Sequence, residues 1–286
     1  MRKSRVLLAA LAGMTIASPV FAADIPLKAP AAVPAVSTWN GWYIGGEFGG
    51  KWVTDDWDTT CVQGGGIGAA AALCGNALNA LVFPGAPDAT RSHSFTTSGF
   101  RPGVYAGAMF QAYSNWVFGI EGDYGFYNQS STVQGILGCS TAACSPLLTP
   151  STPANDFTTV KNGDDFSLRV RAGFLVTPDI LLYATGGAAA QRVEATLSCN
   201  GATSPVCNFS QFQTDSTWLA GWTVGGGLEW KLAQNWLLRG EYRFADFGTW
   251  KPNFFVGGGI AEVFADVRVK SQIATAGIAY LFPVPH

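Results

Sequence analysis

The chain has few charged residues and few of the side chains that build metal or nucleic-acid sites. Lys, Arg, Asp and Glu make up 13% of its 286 residues, whereas soluble domains typically reach about 25%. Only two histidines occur, His93 and His286, and no tract of Lys and Arg is present. We therefore expect no metal, no cofactor and no nucleic-acid partner.

Long apolar runs are confined to the start of the chain. Arg2, Lys3 and Arg5 precede the apolar stretch Val6–Ala17, and Val20-Phe21-Ala22 follows as a small-residue cleavage site. This arrangement predicts a signal peptide that is cleaved after Ala22, with a retained membrane anchor as the alternative. No later segment has the roughly 18–20 uninterrupted apolar residues of a spanning helix.

The rest of the chain alternates apolar and polar or small residues. From Trp42 to Trp52 the even positions carry mostly aromatic and aliphatic side chains, while the odd positions include Glu47 and Lys51. Because a strand points successive side chains to opposite faces, one face suits lipid and the other carries charge. Similar stretches predict eight strands, at about 41–52, 99–111, 116–127, 165–176, 180–192, 216–230, 236–247 and 266–282.

The connections between these strands alternate in length. Three are short turns, and four are long segments rich in Gly, Ser, Thr, Asn and Pro, at 53–98, 128–164, 193–215 and 248–265. The fold class is therefore all-β, an eight-stranded antiparallel up-and-down transmembrane barrel with four long outer loops and three short periplasmic turns. The predicted organisation is a signal peptide at 1–22, a Pro/Ala-rich periplasmic lead-in at 23–38, the barrel at 39–282 and a tail at 283–286.

Aromatic residues collect near both ends of the predicted strands, as expected at two water–lipid boundaries. The girdle at the short-turn end comprises Trp42, Trp116, Phe174, Trp230, Trp236, Tyr280 and Phe282. The girdle at the long-loop end comprises Trp52, Phe100, Phe126, Phe166, Trp218 and Phe247. The alternative is that these aromatic residues pack a soluble core.

Several short motifs occur in strand order: WNGWYIGG at 39–46, LYATGG at 182–187, WTVGGGLE at 222–229, LRGEYRF at 238–244 and GIAYLF at 277–282. With the Ala-Asp-Ile-Pro that follows the signal, they resemble the small outer-membrane β-barrel proteins of α-proteobacteria, often labelled outer-membrane immunogenic proteins. The resemblance implies an architecture related to the OmpA transmembrane domain and a location in the Gram-negative outer membrane. It brings no catalytic residues.

Charged residues on the inward parity predict a network that fills the lumen. An eight-stranded barrel is only wide enough inside for side chains, and buried charges must be paired. A selectivity lining for a pore is the alternative. The predicted network comprises Glu47, Lys51, Glu121, Asp123, Arg169, Arg171, Glu229, Arg239, Glu241 and Arg243.

Six cysteines fall as one pair in each of three predicted loops. Local pairing is the one arrangement that needs no contact between loops, and an exported chain meets an oxidising environment. The predicted disulfides are Cys61–Cys74, Cys139–Cys144 and Cys199–Cys207.

Catalysis has one candidate constellation, His93 beside Ser92 or Ser94, as in a lipid-modifying barrel. A histidine between serines in a polar segment is more simply a solvated residue, so we expect no enzyme. The expected function is structural and surface-exposed, with a narrow porin-like channel and a lipid-modifying enzyme as alternatives.

The expected partners are outer-membrane lipid and lipopolysaccharide, the barrel-assembly machinery, and any host or surface ligand that the loops bind. The first loop is the strongest candidate for such contact. It contains Asp55, Asp56, Trp57 and Asp58 and the apolar stretch Ala69–Phe83.

Overall fold

The computed structural model describes residues 39–63, 92–135, 137, 157–199, 210–233, 235–256 and 262–284. The predicted signal peptide and lead-in lie outside these residues. The strands are β1 Gly41–Gln63, β2 Ser92–Ala112, β3 Trp116–Gly125, β4 Gln129–Gln134, β5 Phe157–Thr177, β6 Ile180–Cys199, β7 Gln211–Ala233, β8 Trp236–Trp250, β9 Asn253–Phe254 and β10 Glu262–Pro283.

The described part of the chain contains no helix that is long and apolar enough to cross a membrane.

The strands form one closed antiparallel ring. Its order is β1-β2-β3-β5-β6-β7-β8-β10, and β10 pairs back onto β1 from Gly41↔Pro283 upward. β3 pairs with one part of β5, and the short strand β4 pairs with the next part. In the same way, β9 pairs with the part of β10 that lies beyond the end of β8. Within the described residues the ring is therefore eight strands around, which confirms the predicted antiparallel barrel.

At one end of the ring the strands are joined by short turns that interlock. The backbone carbonyl of Asn115 accepts a hydrogen bond from the amide of Leu175 at 2.8 Å. Asp179 accepts in the same way from Lys231, also at 2.8 Å. The carbonyl of each turn would be unpaired in an isolated hairpin. Here it accepts a hydrogen bond from a strand of the next hairpin, and the two hairpins are held together.

At the opposite end the strands run further than the sequence predicted. Strand β1 continues to Gln63 rather than ending near residue 52, and β2 begins at Ser92 rather than near 99. The prediction ended each strand where its outward face lost apolar residues. The backbone continues to pair because the inward face becomes largely apolar there and packs inside the ring, so the flanks of the four predicted loops are strand.

The outward face of the ring carries an apolar band. On β1 this band runs from Trp42 to Trp52, and both side chains are exposed. Ten residues at about 3.3 Å each, tilted by about 40°, rise about 25 Å along the barrel axis, which matches the apolar band of outer-membrane barrels.

The predicted girdle residues lie at the two edges of this band, with one exception. Trp116 packs on Phe174 with 5.5 Å between ring centroids at one edge, and Phe166 packs on Trp218 with 5.7 Å at the other. The assignment of Phe247 to the outer girdle was wrong, because its side chain is buried inside the ring. Its odd parity on β8 is that of the inward Arg243.

Beyond Trp52 the polarity of the two faces reverses. Asp56 and Asp58 point outward, whereas Val53 and Trp57 are buried in the lumen. They belong to the outer apolar cluster, which comprises Val53, Trp57, Phe95, Tyr127, Val160, Ala189, Val193, Ala195, Leu197, Ala245, Phe247, Phe254, Phe255, Val263, Ala265, Val267 and Val269. Past the lipid, the ring is therefore built like a water-soluble barrel with an apolar interior.

We call the part of the ring beyond the lipid, which surrounds the outer apolar cluster, the outer tier. Two tryptophans on β1 test its packing. Trp57 is 2% exposed and Trp52 is 47% exposed. We expect Trp57→Ala to lower the free energy of unfolding by about 3–5 kcal/mol, because it leaves a cavity in a packed core. Trp52→Ala should cost clearly less. Urea titration of the detergent-folded protein, read by the mobility of unboiled samples on a gel, measures both. An unchanged stability of Trp57→Ala would mean that residues 53–63 behave as an exposed loop.

Candidate functional site

The middle of the lumen is filled by charged side chains between two apolar clusters. Towards the short turns lies the inner apolar cluster, which comprises Trp39, Tyr43, Tyr105, Met109, Val117, Leu175, Leu181, Tyr183, Leu237, Ala279 and Leu281. The ionic layer lies between this and the outer apolar cluster. It comprises Glu47, Lys51, Arg101, Glu121, Asp123, Asp165, Arg169, Arg171, Glu229, Arg239, Glu241 and Arg243. Six cations thus face six carboxylates.

Arg101 on β2 contacts three other strands, β1, β3 and β5, through its guanidinium. Its Nη1 donates to Glu47 Oε1 at 2.6 Å, and its Nη2 donates to Asp123 Oδ2 at 2.8 Å and to Asp165 Oδ1 at 2.6 Å. Lys51 Nζ reaches the second oxygen of Asp165 at 2.7 Å. Charge-assisted bonds of this length are among the strongest that a protein makes.

Two arginines on β8 carry the network across the lumen. Arg239 donates to Glu47 Oε2 and to Glu121 Oε2, each at 2.6 Å. Arg243 donates from Nη1 to Asp123 Oδ1 at 2.7 Å and from Nη2 to Asp123 Oδ2 at 3.0 Å. These bonds join β8 to β1 and β3, strands that are not its neighbours in the ring, so they pin the cross-section of the barrel.

Two arginines on β5 complete the layer. Arg169 donates to Glu121 Oε1 at 2.5 Å and to Glu241 Oε1 at 2.8 Å. Arg171 forms an ion pair with Glu229 on β7 at 2.9 Å.

Tyrosines line the boundary between the ionic layer and the inner apolar cluster. The hydroxyl of Tyr43 donates to Glu121 at 2.7 Å, and that of Tyr183 donates to Glu241 at 2.7 Å. The guanidinium of Arg239 lies 3.5 Å from the ring centroid of Tyr105. Each ring therefore presents apolar surface to one layer and a hydrogen bond or a π face to the other.

Glycine makes room for these large side chains. A β-carbon on Gly125 would collide with the guanidinium of Arg101, and one on Gly107 would collide with the hydroxyl of Tyr43. Inward glycines therefore let arginine and tyrosine side chains lie against the wall of a narrow lumen, which gives some of the 35 glycines of the chain a packing role.

The structure places all ten residues of the predicted network in the lumen, and it adds two that the sequence analysis missed. Arg101 and Asp165 are at or near the first residues of predicted strands, at 99–111 and 165–176. Their parity was available as a signal, because Arg101 shares it with Tyr105 and Asp165 shares it with Arg169.

Asp55 lies in the lumen just beyond the lipid band rather than in a loop. Its Oδ2 accepts a hydrogen bond from Asn162 Nδ2 at 2.6 Å, and Asn162 Oδ1 accepts from Gln191 Nε2 at 2.6 Å. Burial raises the pKa of the Asp55 carboxyl to about 7. The interpretation of Asp55 and Trp57 as loop residues for partner contact was therefore wrong, whereas Asp56 and Asp58 do point outward.

His93 does not share a face with its neighbouring serines. All three residues lie on β2, where successive side chains point to opposite sides. The ring of His93 packs against Phe95 with 4.8 Å between centroids, and Ser94 Oγ donates to Asp56 Oδ1 at 2.7 Å. The local geometry therefore gives no serine–histidine pair.

The predicted disulfides remain predictions. Cys74, Cys139, Cys144 and Cys207 lie outside the described residues, as does the apolar stretch 69–83. Cys61 and Cys199 lie near the outer ends of β1 and β6, where the structure describes the backbone.

Comparison with known proteins points in one direction. The family model described as "Outer membrane protein beta-barrel domain" matches residues 8–282. The 31 kDa outer-membrane immunogenic protein of Brucella melitensis biotype 1 is 28% identical over 289 residues, covering 97% of this chain and 99% of its own length. The 25 kDa outer-membrane immunogenic protein of Brucella abortus biovar 1 is 28% identical over 183 residues, covering 64% of this chain and 66% of its own length.

Among solved structures, the outer membrane protease OmpT from Escherichia coli is similar with a TM-score of 0.50 and 10% identity. The match covers 86% of this chain and 98% of that one. At this identity the likeness concerns the fold alone.

Arg101 provides the test of the ionic layer. We expect Arg101→Met to lower the free energy of unfolding by about 3–5 kcal/mol, because it leaves the six buried carboxylates of the layer with five cations and removes the guanidinium shared by Glu47, Asp123 and Asp165. Lys251→Met removes a cation from an exposed pair with Asp266 at 3.1 Å, and should change stability by at most about 1 kcal/mol. Guanidinium titration of both variants in detergent measures the difference, and equal effects would contradict a tightly paired lumen.

Proposed function

We propose a function on the premise that this chain belongs to the outer membrane protein β-barrel family and lies in the outer membrane of a Gram-negative bacterium. Its barrel acts as a sealed anchor that strengthens the membrane, and its outer tier holds the loops away from the lipid for contact with surface partners. The observation that carries this proposal is the ionic layer, in which every cation and every carboxylate has an opposite charge within ion-pair distance.

Burial supports a sealed lumen over a diffusion channel. The side chains that form the ion pairs of the layer are between 0% and 7% exposed. A water-filled passage would wet charged groups that line it, as in the wider porins. The apolar clusters above and below add two further layers with little affinity for water or ions.

The outer tier supports a role for the loops. On β6 the outward residues Arg192 and Glu194 are polar, while Val193 and Ala195 are buried inside. A packed apolar interior makes this part of the ring rigid beyond the lipid, so it can carry loops at a distance from the membrane. The relatives in Brucella are named immunogenic outer-membrane proteins, which fits a chain with exposed outer segments.

The same observations favour a non-enzymatic role. The His93 geometry supplies no nucleophile–base pair, and the ionic layer satisfies its own charges rather than presenting them to a substrate. Lipid A from cells that overexpress the protein should therefore show an unchanged mass spectrum.

Planar-bilayer recording tests the sealed lumen. The purified, refolded protein should insert without giving stable ohmic conductance, because the ionic layer and both apolar clusters block the axis. A general porin treated in the same way serves as the positive control. A reproducible open channel would contradict the proposal and favour the porin-like alternative.

Tag accessibility tests which end faces outward. An epitope inserted between residues 64 and 91 should be detected on intact cells, whereas the same epitope in the Tyr113–Asn115 turn should be detected only after the outer membrane is permeabilised. The reverse pattern would place the short turns outside and would contradict the role proposed for the outer tier.

A further inference from the structure

A polar recess opens on the outward face of the ring where β3 leaves β5. Residues 126–128 separate β3 from β4, and the register of β5 shifts between Asn162 and Asp165. The interruption leaves a recess of about 210 Å³, which is lined by the cations Lys161 and Arg192, the acids Asp164 and Glu194, and Asn128, among others.

The recess lies at the outer edge of the apolar band. Arg192 is directly opposite Trp218 in the register of β6 and β7, and Trp218 packs on Phe166 of the outer girdle. Phe126 precedes the recess along the chain, and its side chain is exposed to lipid. The cations of the recess therefore stand at the depth where hydrocarbon gives way to lipid headgroups.

The two cations of the recess differ from the other outward cations. Lys251, Arg268 and Lys270 form ion pairs with Asp266, Asp246 and Asp56. Within the described part of the chain, neither Lys161 nor Arg192 forms an ion pair with a carboxylate.

The two acids that line the recess form no ion pair with its cations. Both carboxylate oxygens of Asp164 are engaged, because Oδ1 accepts the amide of Tyr127 at 3.0 Å and Oδ2 accepts the hydroxyl of Tyr124 at 2.8 Å. Glu194 is opposite Lys161 in the register of β5 and β6, yet the two make no ion pair. The ammonium and guanidinium groups keep free donors towards the membrane surface.

We propose that this recess binds a phosphate group on the headgroup of a glycolipid in the outer leaflet. Lys161 Nζ supplies a point charge, the guanidinium of Arg192 supplies paired donors that match phosphate geometry, and the side-chain amide of Asn128 faces the adjoining sugar. This inference rests on the proposed placement of the long-strand end outside. It gives the sealed anchor one specific lipid contact.

Lipid binding to the full, folded chain in detergent tests the proposal. The variant Lys161→Gln/Arg192→Gln is compared with Lys251→Gln/Arg268→Gln, which removes the same charge from β8–β10 on another arc of the ring. Native mass spectrometry measures the binding of bisphosphorylated lipid A, of dephosphorylated lipid A and of inorganic phosphate. Unboiled gel mobility and bilayer recording of the same preparations report folding and lumen closure separately.

The recess variant should lose at least about tenfold in apparent affinity for bisphosphorylated lipid A, the loss of about one charge-assisted hydrogen bond, while the control variant keeps the affinity of the unaltered protein. The unaltered protein should bind dephosphorylated lipid A more weakly. Equal losses in both variants, or equal binding with and without phosphate, would overturn the proposal. Comparable affinity for inorganic phosphate would overturn the assignment to a lipid headgroup.

Discussion

The buried ion pairs of the lumen are the constraint on which the rest of the barrel depends. A charge in a medium of low dielectric costs several kcal/mol unless it is paired and hydrogen-bonded. Six cations and six carboxylates meet this condition only when β1, β2, β3, β5, β7 and β8 all lie in register. A slip of one residue in any of these strands would turn its charges towards lipid. The network therefore specifies one closed arrangement of the ring.

The change of solvent along the barrel axis explains the reversal of polarity. Where lipid surrounds the ring, apolar side chains such as Trp42 and Trp52 face out and charged side chains fill the inside. Where water surrounds it, Asp56 and Asp58 face out and Trp57 packs inside. The same backbone continues through both regions, because inter-strand hydrogen bonds satisfy the main chain in either solvent. The same sheet therefore forms a barrel with an apolar outside and a charged inside within the lipid, and a barrel with a polar outside and an apolar inside beyond it.

Most of the fold could be predicted from the alternation of apolar and polar residues along the strands. This alternation separated Glu47 and Lys51 from Trp42 and Trp52, and it placed the strand ends at the short turns. It failed at the other end, because a strand that leaves the membrane loses the apolar outward face by which it was recognised. The same boundary hid Arg101 and Asp165, which stand where the predicted strands began.

The sequence by itself determined the antiparallel barrel, its membrane location, and which side of each strand carries charge, since these follow from local alternation and from the solvent on each face. Only the tertiary structure decided which charges pair, because Arg101 meets Glu47, Asp123 and Asp165 through ring closure rather than through spacing along the chain. It also decided that the strands extend beyond the lipid, and that the break between β3 and β4 leaves a recess lined by both Lys161 and Arg192. Those outcomes depend on contacts between residues distant in the chain, and local propensity does not encode them.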